Sequence, residues 1–187
     1  FSTFQPFKSS FLKLKEIVYI CNDVSLFSFL LSPSTCEVGF PRKIIVLEPG
    51  EYCFSAECLN DFPVVTDDSN VKRLCLDNIA LIGVSDNLSG LHVPLSFIGN
   101  FGLQCHNFIA VNISFVFDVG NFYANRFSDV ALFECSVTGK DSTYACLSER
   151  NLKVERCQFA NCEGEALFVF GSAEVKDSVF SGNKSVG

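Results

Sequence analysis

The sequence predicts an all-β chain, a right-handed single-stranded parallel β-helix with a short N-terminal helical cap, on three observations. The first is a repeat. Ile109-x-Val111-x-x-Ser114-x-Val116, Val130-x-Leu132-x-x-Cys135-x-Val137, Leu152-x-Val154-x-x-Cys157-x-Phe159 and Ala173-x-Val175-x-x-Ser178-x-Phe180 follow one another at steps of 21, 22 and 21 residues. That is the length of one solenoid coil, which buries its inward side chains only by stacking on its neighbours. The second is punctuation: each copy is followed two places later by a turn residue, Asp118, Gly139, Asn161 and Gly182. The third is composition, with 48% hydrophobic and 19% charged residues, a mean hydropathy of +0.30 and 21 Phe among 187 residues. An interior dominates such a chain, and its length suits one domain.

Taken in order, Phe11, Leu12, Leu14, Ile17 and Val18 fall at helical spacing opposite Lys13, Lys15 and Glu16, so the spacing predicts an amphipathic helix capping the first coil. Residues 1–43 are read as this cap and its lead-in, with an apolar run from Val24 to Leu31 and a loop at Ser32–Thr35. Residues 44–187 are read as coils. Ile44 to Leu47 is a buried strand stopped by Pro49-Gly50 and resumed at Tyr52. Asp61 to Asn70 is an exposed loop; Leu74–Leu76, Ile79–Gly83 and Leu95–Ile98 are further strands. Ile109, Val111, Val130, Leu132, Leu152, Val154 and Val175 are expected to point inward, and Cys135 and Cys157 to form an inward ladder between Ser114 and Ser178.

A net charge of −7 and a pI near 4.8 argue against nucleic acid, which requires clustered Lys and Arg. No apolar run approaches the roughly 20 residues of a membrane span. Ten Cys packed in such ladders favour reduced thiols and an intracellular setting, whereas the sequons at Asn87, Asn112 and Asn183 point to secretion. Asn112 is placed inside a strand, where a glycan is awkward. The absence of any Met reads as a processed chain or a fragment, and Lys184–Gly187 as the start of another coil. The C-terminal coil is therefore expected to continue or to meet a partner, a second copy included.

The pieces Ile45-Val46-Leu47-Glu48-Pro49-Gly50-Glu51-Tyr52, Asn78-Ile79-Ala80-Leu81-Ile82-Gly83 and Phe108-Ile109-Ala110-Val111-Asn112-Ile113-Ser114-Phe115 resemble the opening of pectin-lyase-like right-handed β-helix proteins, the pectinesterases above all. Phe133–Tyr144 and Gly164–Gly171 resemble the two catalytic stretches of that family. The resemblance implies an acid/base aspartate at Asp141 and a nucleophilic aspartate at the position held here by Leu167, which cannot attack an ester. Glu165 shares the strand face of Leu167 but lies roughly 6 to 7 Å along it. The glutamine expected for the oxyanion falls near Val119.

Other chemistry is thinner. Asp67, Asp68 and Asp77 offer carboxylates in the manner of a glycosidase. A calcium-assisted lyase would use Arg73 or Arg126, and calcium is the one cofactor that reading admits. Cys53-x4-Cys58, Cys157-x4-Cys162, His92 and His106 make poor zinc spacings, so no metal site is assigned. Cys105 and His106 point to opposite strand faces and form no dyad. Two functions follow. One is a non-catalytic module that binds a carbohydrate or a protein partner on its lateral face, with Glu165, Tyr144 and Arg126 as ligand-binding candidates. The other is a secreted enzyme of the pectinesterase or pectate-lyase type acting on an acidic polysaccharide, with Asp141 catalytic.

Overall fold

The computed structural model describes residues 17–20, 43–55, 64–66, 72–84, 92–99, 101–118, 122–124, 129–139, 144–148 and 150–184. Every regular element among them is a strand: β1 (Ile17–Ile20), β2 (Lys43–Leu47), β3 (Tyr52–Phe54), β4 (Val64–Thr66), β5 (Lys72–Gly83), β6 (Val93–Phe97), β7 (Phe101–Val111), β8 (Ile113–Phe117), β9 (Phe122–Ala124), β10 (Asp129–Phe133), β11 (Ser136–Gly139), β12 (Tyr144–Ser148), β13 (Asn151–Glu155), β14 (Gln158–Ala160), β15 (Glu165–Val169), β16 (Ala173–Lys176) and β17 (Val179–Ser181). The chain is all-β and its sheets are parallel, apart from β4, which lies antiparallel on β5.

Strands stack in chain order. One face runs β1-β2-β5-β7-β10-β13-β16 and a second runs β3-β6-β8-β11-β14-β17. A third is made by the first halves of β5 and β7 with β9, β12 and β15. Each strand therefore pairs with its counterpart one tier away. Phe108, Val130, Leu152 and Ala173 fall in register, at steps of 22, 22 and 21. Rings stack between tiers in the interior: Phe54 on Phe97 at 5.1 Å, Phe97 on Phe117 at 4.8 Å and Phe159 on Phe180 at 5.0 Å. These separations reflect the strand spacing of roughly 4.8 Å.

Single residues in the left-handed conformation make the corners. Between the first and second faces these are Asn112, Glu134, Arg156 and Asp177, with φ of 57°, 51°, 52° and 49°. Their amides bond across tiers: Asn112 N–H to Phe133 O at 3.0 Å, Glu134 N–H to Glu155 O at 3.0 Å, and Arg156 N–H to Lys176 O at 2.9 Å. The left-handed conformation costs an ordinary residue about 1–2 kcal/mol, and the repeated bonds hold it. Within β5 and β7 the bend falls at Asn78 and Asn107, and the Asn107 side-chain amide donates to Asn78 Oδ1 at 3.1 Å.

Several expectations are corrected. Ile17 and Val18 belong to strand β1, paired with Ile44 and Ile45, because a short β-branched run gains more from sheet pairing than from an isolated turn of helix. The rest of the expected helix, Phe11 to Glu16, lies outside the described residues, as does the Val24–Leu31 run. Val64–Thr66, expected as loop, is strand β4. Leu74–Leu76 and Ile79–Gly83 are two halves of one bent strand.

The first copy of the repeat is shifted by one residue. Phe108 and Ala110 point into the interior, and Ile109 and Val111 point outward into a second apolar cluster with Ile44, Ala80 and Phe133. Ser114 consequently faces outward, where it accepts a hydrogen bond from Ser136 Oγ at 2.7 Å; Ile113 takes the inward place above Cys135. Val130, Leu132, Leu152 and Val154 are buried inward as expected. Val175 holds the inward register below Val154 yet is 45% exposed, on the last described tier. Asn112 sits at a corner rather than inside a strand, and its amide donates to Gly83 O at 3.0 Å.

Candidate functional site

Tyr144 and Glu165 are brought side by side as Cα partners at the start of β12 and β15. The Tyr144 side chain lies outside the description, and so do Asp141 and Arg126 altogether. Leu167 pairs with Cys146, which is fully buried, and packs against the interior cluster. The position matched to a nucleophile is thus a half-buried apolar contact of the core. Glu165 belongs to the same inward row, two residues away. Its Oε2 is buried with no hydrogen-bond partner, beside a cavity of about 460 Å³ that also meets Leu167, Phe180 and Asn183. Asn183 is committed elsewhere, accepting from Cys162 N–H at 3.0 Å and donating to Phe159 O at 3.1 Å. Glu165 is the one titratable group among the described residues that line this cavity, where it can accept hydrogen bonds.

A second feature, which the repeat analysis missed, lies on the outer side of β10, β13 and β16. Asp129, Asn151 and Ser172 each immediately precede an inward residue, so they stack in one outward row. Asn151 Nδ2 donates to Asp129 Oδ1 at 2.8 Å, and Ser172 Oγ donates to Asn151 Oδ1 at 2.6 Å. The next outward row is Ala131, Lys153 and Glu174. The two rows line a groove of about 440 Å³, within the range of small-ligand sites. Lys153 Nζ lies 3.8 Å from Glu174 and 3.9 Å from Glu155, and sits 5.7 Å over the Phe133 ring. Toward β2 the same outer side is apolar and buried, with Ile44 at 2%, Ala80 at 0% and Ile109 at 3% exposure. Among the described residues this outer side is therefore open at its β10–β16 end. The signal was present in the sequence: polar residues at 129, 151 and 172 recur at the 22- and 21-residue period.

The corner row carries charge. His92, Asn112, Glu134, Arg156 and Asp177 follow one another by register. Arg156 Nε and Nη2 each meet Glu134 Oε1 at 3.0 Å, and its other arm binds the buried Glu155. Burial holds His92 below its ordinary pKa, opposed by the charge of Glu134. On the third face, burial raises the Asp77 carboxyl and the neighbouring His106 opposes the shift; the other two carboxylates of that expected group, Asp67 and Asp68, lie outside the description.

Cys53, Cys105, Cys135, Cys146, Cys157 and Cys162 are free thiols, all buried except Cys53. Cys135 N–H approaches Cys157 Sγ at 3.4 Å and Cys157 N–H bonds Ser178 Oγ at 3.1 Å, so the ladder runs Ile113, Cys135, Cys157, Ser178. Burial pushes the Cys146 thiol up to about 12, which leaves it protonated and inert as a nucleophile. Among the described residues no group of three or more His, Cys, Asp or Glu could hold a metal ion, and no helix is long and apolar enough to cross a membrane. Comparison with protein-family models, curated proteins and solved structures finds no match.

Proposed function

We propose that the chain is a right-handed parallel β-helix of the pectin-lyase-like type that serves as a non-catalytic binding module, recognising a carbohydrate or a protein partner on its lateral face. The observation that carries this reading is the groove beside Asp129, Asn151 and Ser172, a concave site with convergent polar groups on rigid strands. The apolar packing of Leu167 supports the absence of ester hydrolysis, because the residue matched to the nucleophile has no reactive atom and faces the core. The last described tier, where Val175, Val179 and Phe180 are 45%, 57% and 45% exposed, is where a further coil or a second copy would stack.

The competing reading, an esterase or a calcium-assisted lyase working through Asp141, predicts turnover. Methanol release from methylated pectin, and formation of unsaturated products from demethylated pectin with and without calcium, separate the two. The binding module yields neither. Turnover abolished by Asp141→Asn would establish the enzyme instead.

A further inference from the structure

From the polarity of the hydrogen-bond row and the charge around it, we infer that the groove on the outer side of β10, β13 and β16 takes a neutral, hydroxyl-rich glycan and rejects acidic polysaccharides. The inference deepens the binding-module reading and rests on it. Each link of the row spends a donor: Ser172 gives its hydroxyl proton to Asn151, and Asn151 gives an amide proton to Asp129. What stays open toward a ligand is mostly acceptor: Asp129 Oδ2, the Ser172 lone pairs and the Glu174 carboxylate, against the second Asn151 N–H.

Among the described residues that line the groove the one cation is Lys153, which lies between two carboxylates, Glu155 and Glu174. Asp129 and Glu174 against Lys153 leave the groove at −1 within a chain of −7. A uronate polymer brings both negative charge and acceptors, so it meets like charge and unmatched lone pairs. Sugar hydroxyls bring donors and no charge. The polar row recurs at about 4.8 Å per tier, which suits a polymer with repeating donors, and the partly buried Ala131 supplies a small apolar floor for the C–H face of a sugar ring.

The test is affinity gel electrophoresis of the full chain in gels containing soluble β-glucan, galactomannan, arabinoxylan or polygalacturonate. Retardation is expected in at least one neutral polysaccharide and not in polygalacturonate. Asn151→Ala, which breaks both links, and Ser172→Ala, which removes the exposed hydroxyl and its one link to Asn151, are each expected to weaken the interaction about tenfold. Ser114→Ala on the second face is expected to leave it unchanged, and thermal midpoints check folding in each case. Glu174→Lys reverses the groove charge and is expected to admit polygalacturonate.

Retardation by polygalacturonate equal to or stronger than by the neutral polymers overturns the inference, as does failure of every neutral polymer to retard the chain. Retention that ignores the Asn151 and Ser172 changes overturns the groove assignment while the module reading stands. Methanol release from methylated pectin sinks the module reading itself, by a separate readout.

Discussion

Val154 is fully buried between Leu132 and Val175, so Val154→Asp places a carboxylate where no donor reaches it. A loss of roughly 3 kcal/mol or more is expected from such burial, read as a fall in the denaturant midpoint; an unchanged midpoint would contradict the inward register. His92 gives the opposite kind of test, one of pH. Burial lowers its pKa in the folded chain from the ordinary 6.5. Between 6.5 and that lower value the unfolded chain binds a proton that the folded chain refuses, so stability falls as pH drops through that window. His92→Gln should flatten that part of the stability profile, and an unaltered profile would place the titration elsewhere.

At the scale of the strand, the constraint is closest where Gly83 ends β5. A Cβ added there would stand 2.3 Å from Asn112 O and 2.9 Å from the Val93 side chain, both at the neighbouring corner. Gly83→Ala is expected to destabilise the chain by about 1–3 kcal/mol, measured by thermal unfolding, whereas Gly99→Ala meets no atom within 4 Å and loses only its ease at positive φ.

Legibility varied strand by strand for physical reasons. In β10 and β13 alternation is clean, because polar or small residues separate Val130 from Leu132 and Leu152 from Val154, and the sequence pattern alone placed them correctly. In β7 it disappears: Phe108, Ile109, Ala110 and Val111 are apolar throughout, since both sides of that strand are covered, and the pattern could be read one residue off. Ile17–Ile20 failed similarly, as four residues carry too little period to separate strand from helix. The groove was legible in principle from Asp129, Asn151 and Ser172, but a search for catalytic pairs passes over residues whose function is to recur.

Considered as a whole, the chain is a stack in which each tier protects the one before it. Cys157 is covered by Ser178 and Phe159 by Phe180, while Phe180 itself remains 45% exposed. A protein of these 187 residues is therefore expected to associate as its concentration rises, giving a mass by light scattering that Val179→Lys returns to the monomer value. A constant monomer mass at high concentration would remove self-association from the reading. The negative net charge opposes indiscriminate clustering, so any such contact is expected at the exposed apolar residues Val175, Val179 and Phe180.

The one-residue corners at Asn112, Glu134, Arg156 and Asp177 set a rule about how this chain can change length. Each joins two strands without slack, and the amides of Asn112, Glu134 and Arg156 are tied to the tier below. A single residue inserted between Phe133 and Cys135 would rotate Cys135 and Val137 out of the interior and bring Ser136 in, reversing inside and outside for the remainder of the tier. A duplicated segment of 22 residues would reproduce every partner it displaces. From Asn112 to Asp177 this edge can lengthen only by whole turns, whereas earlier in the chain the same edge carries four residues between β2 and β3 and nine between β5 and β6, so drift in length along it belongs to the N-terminal tiers.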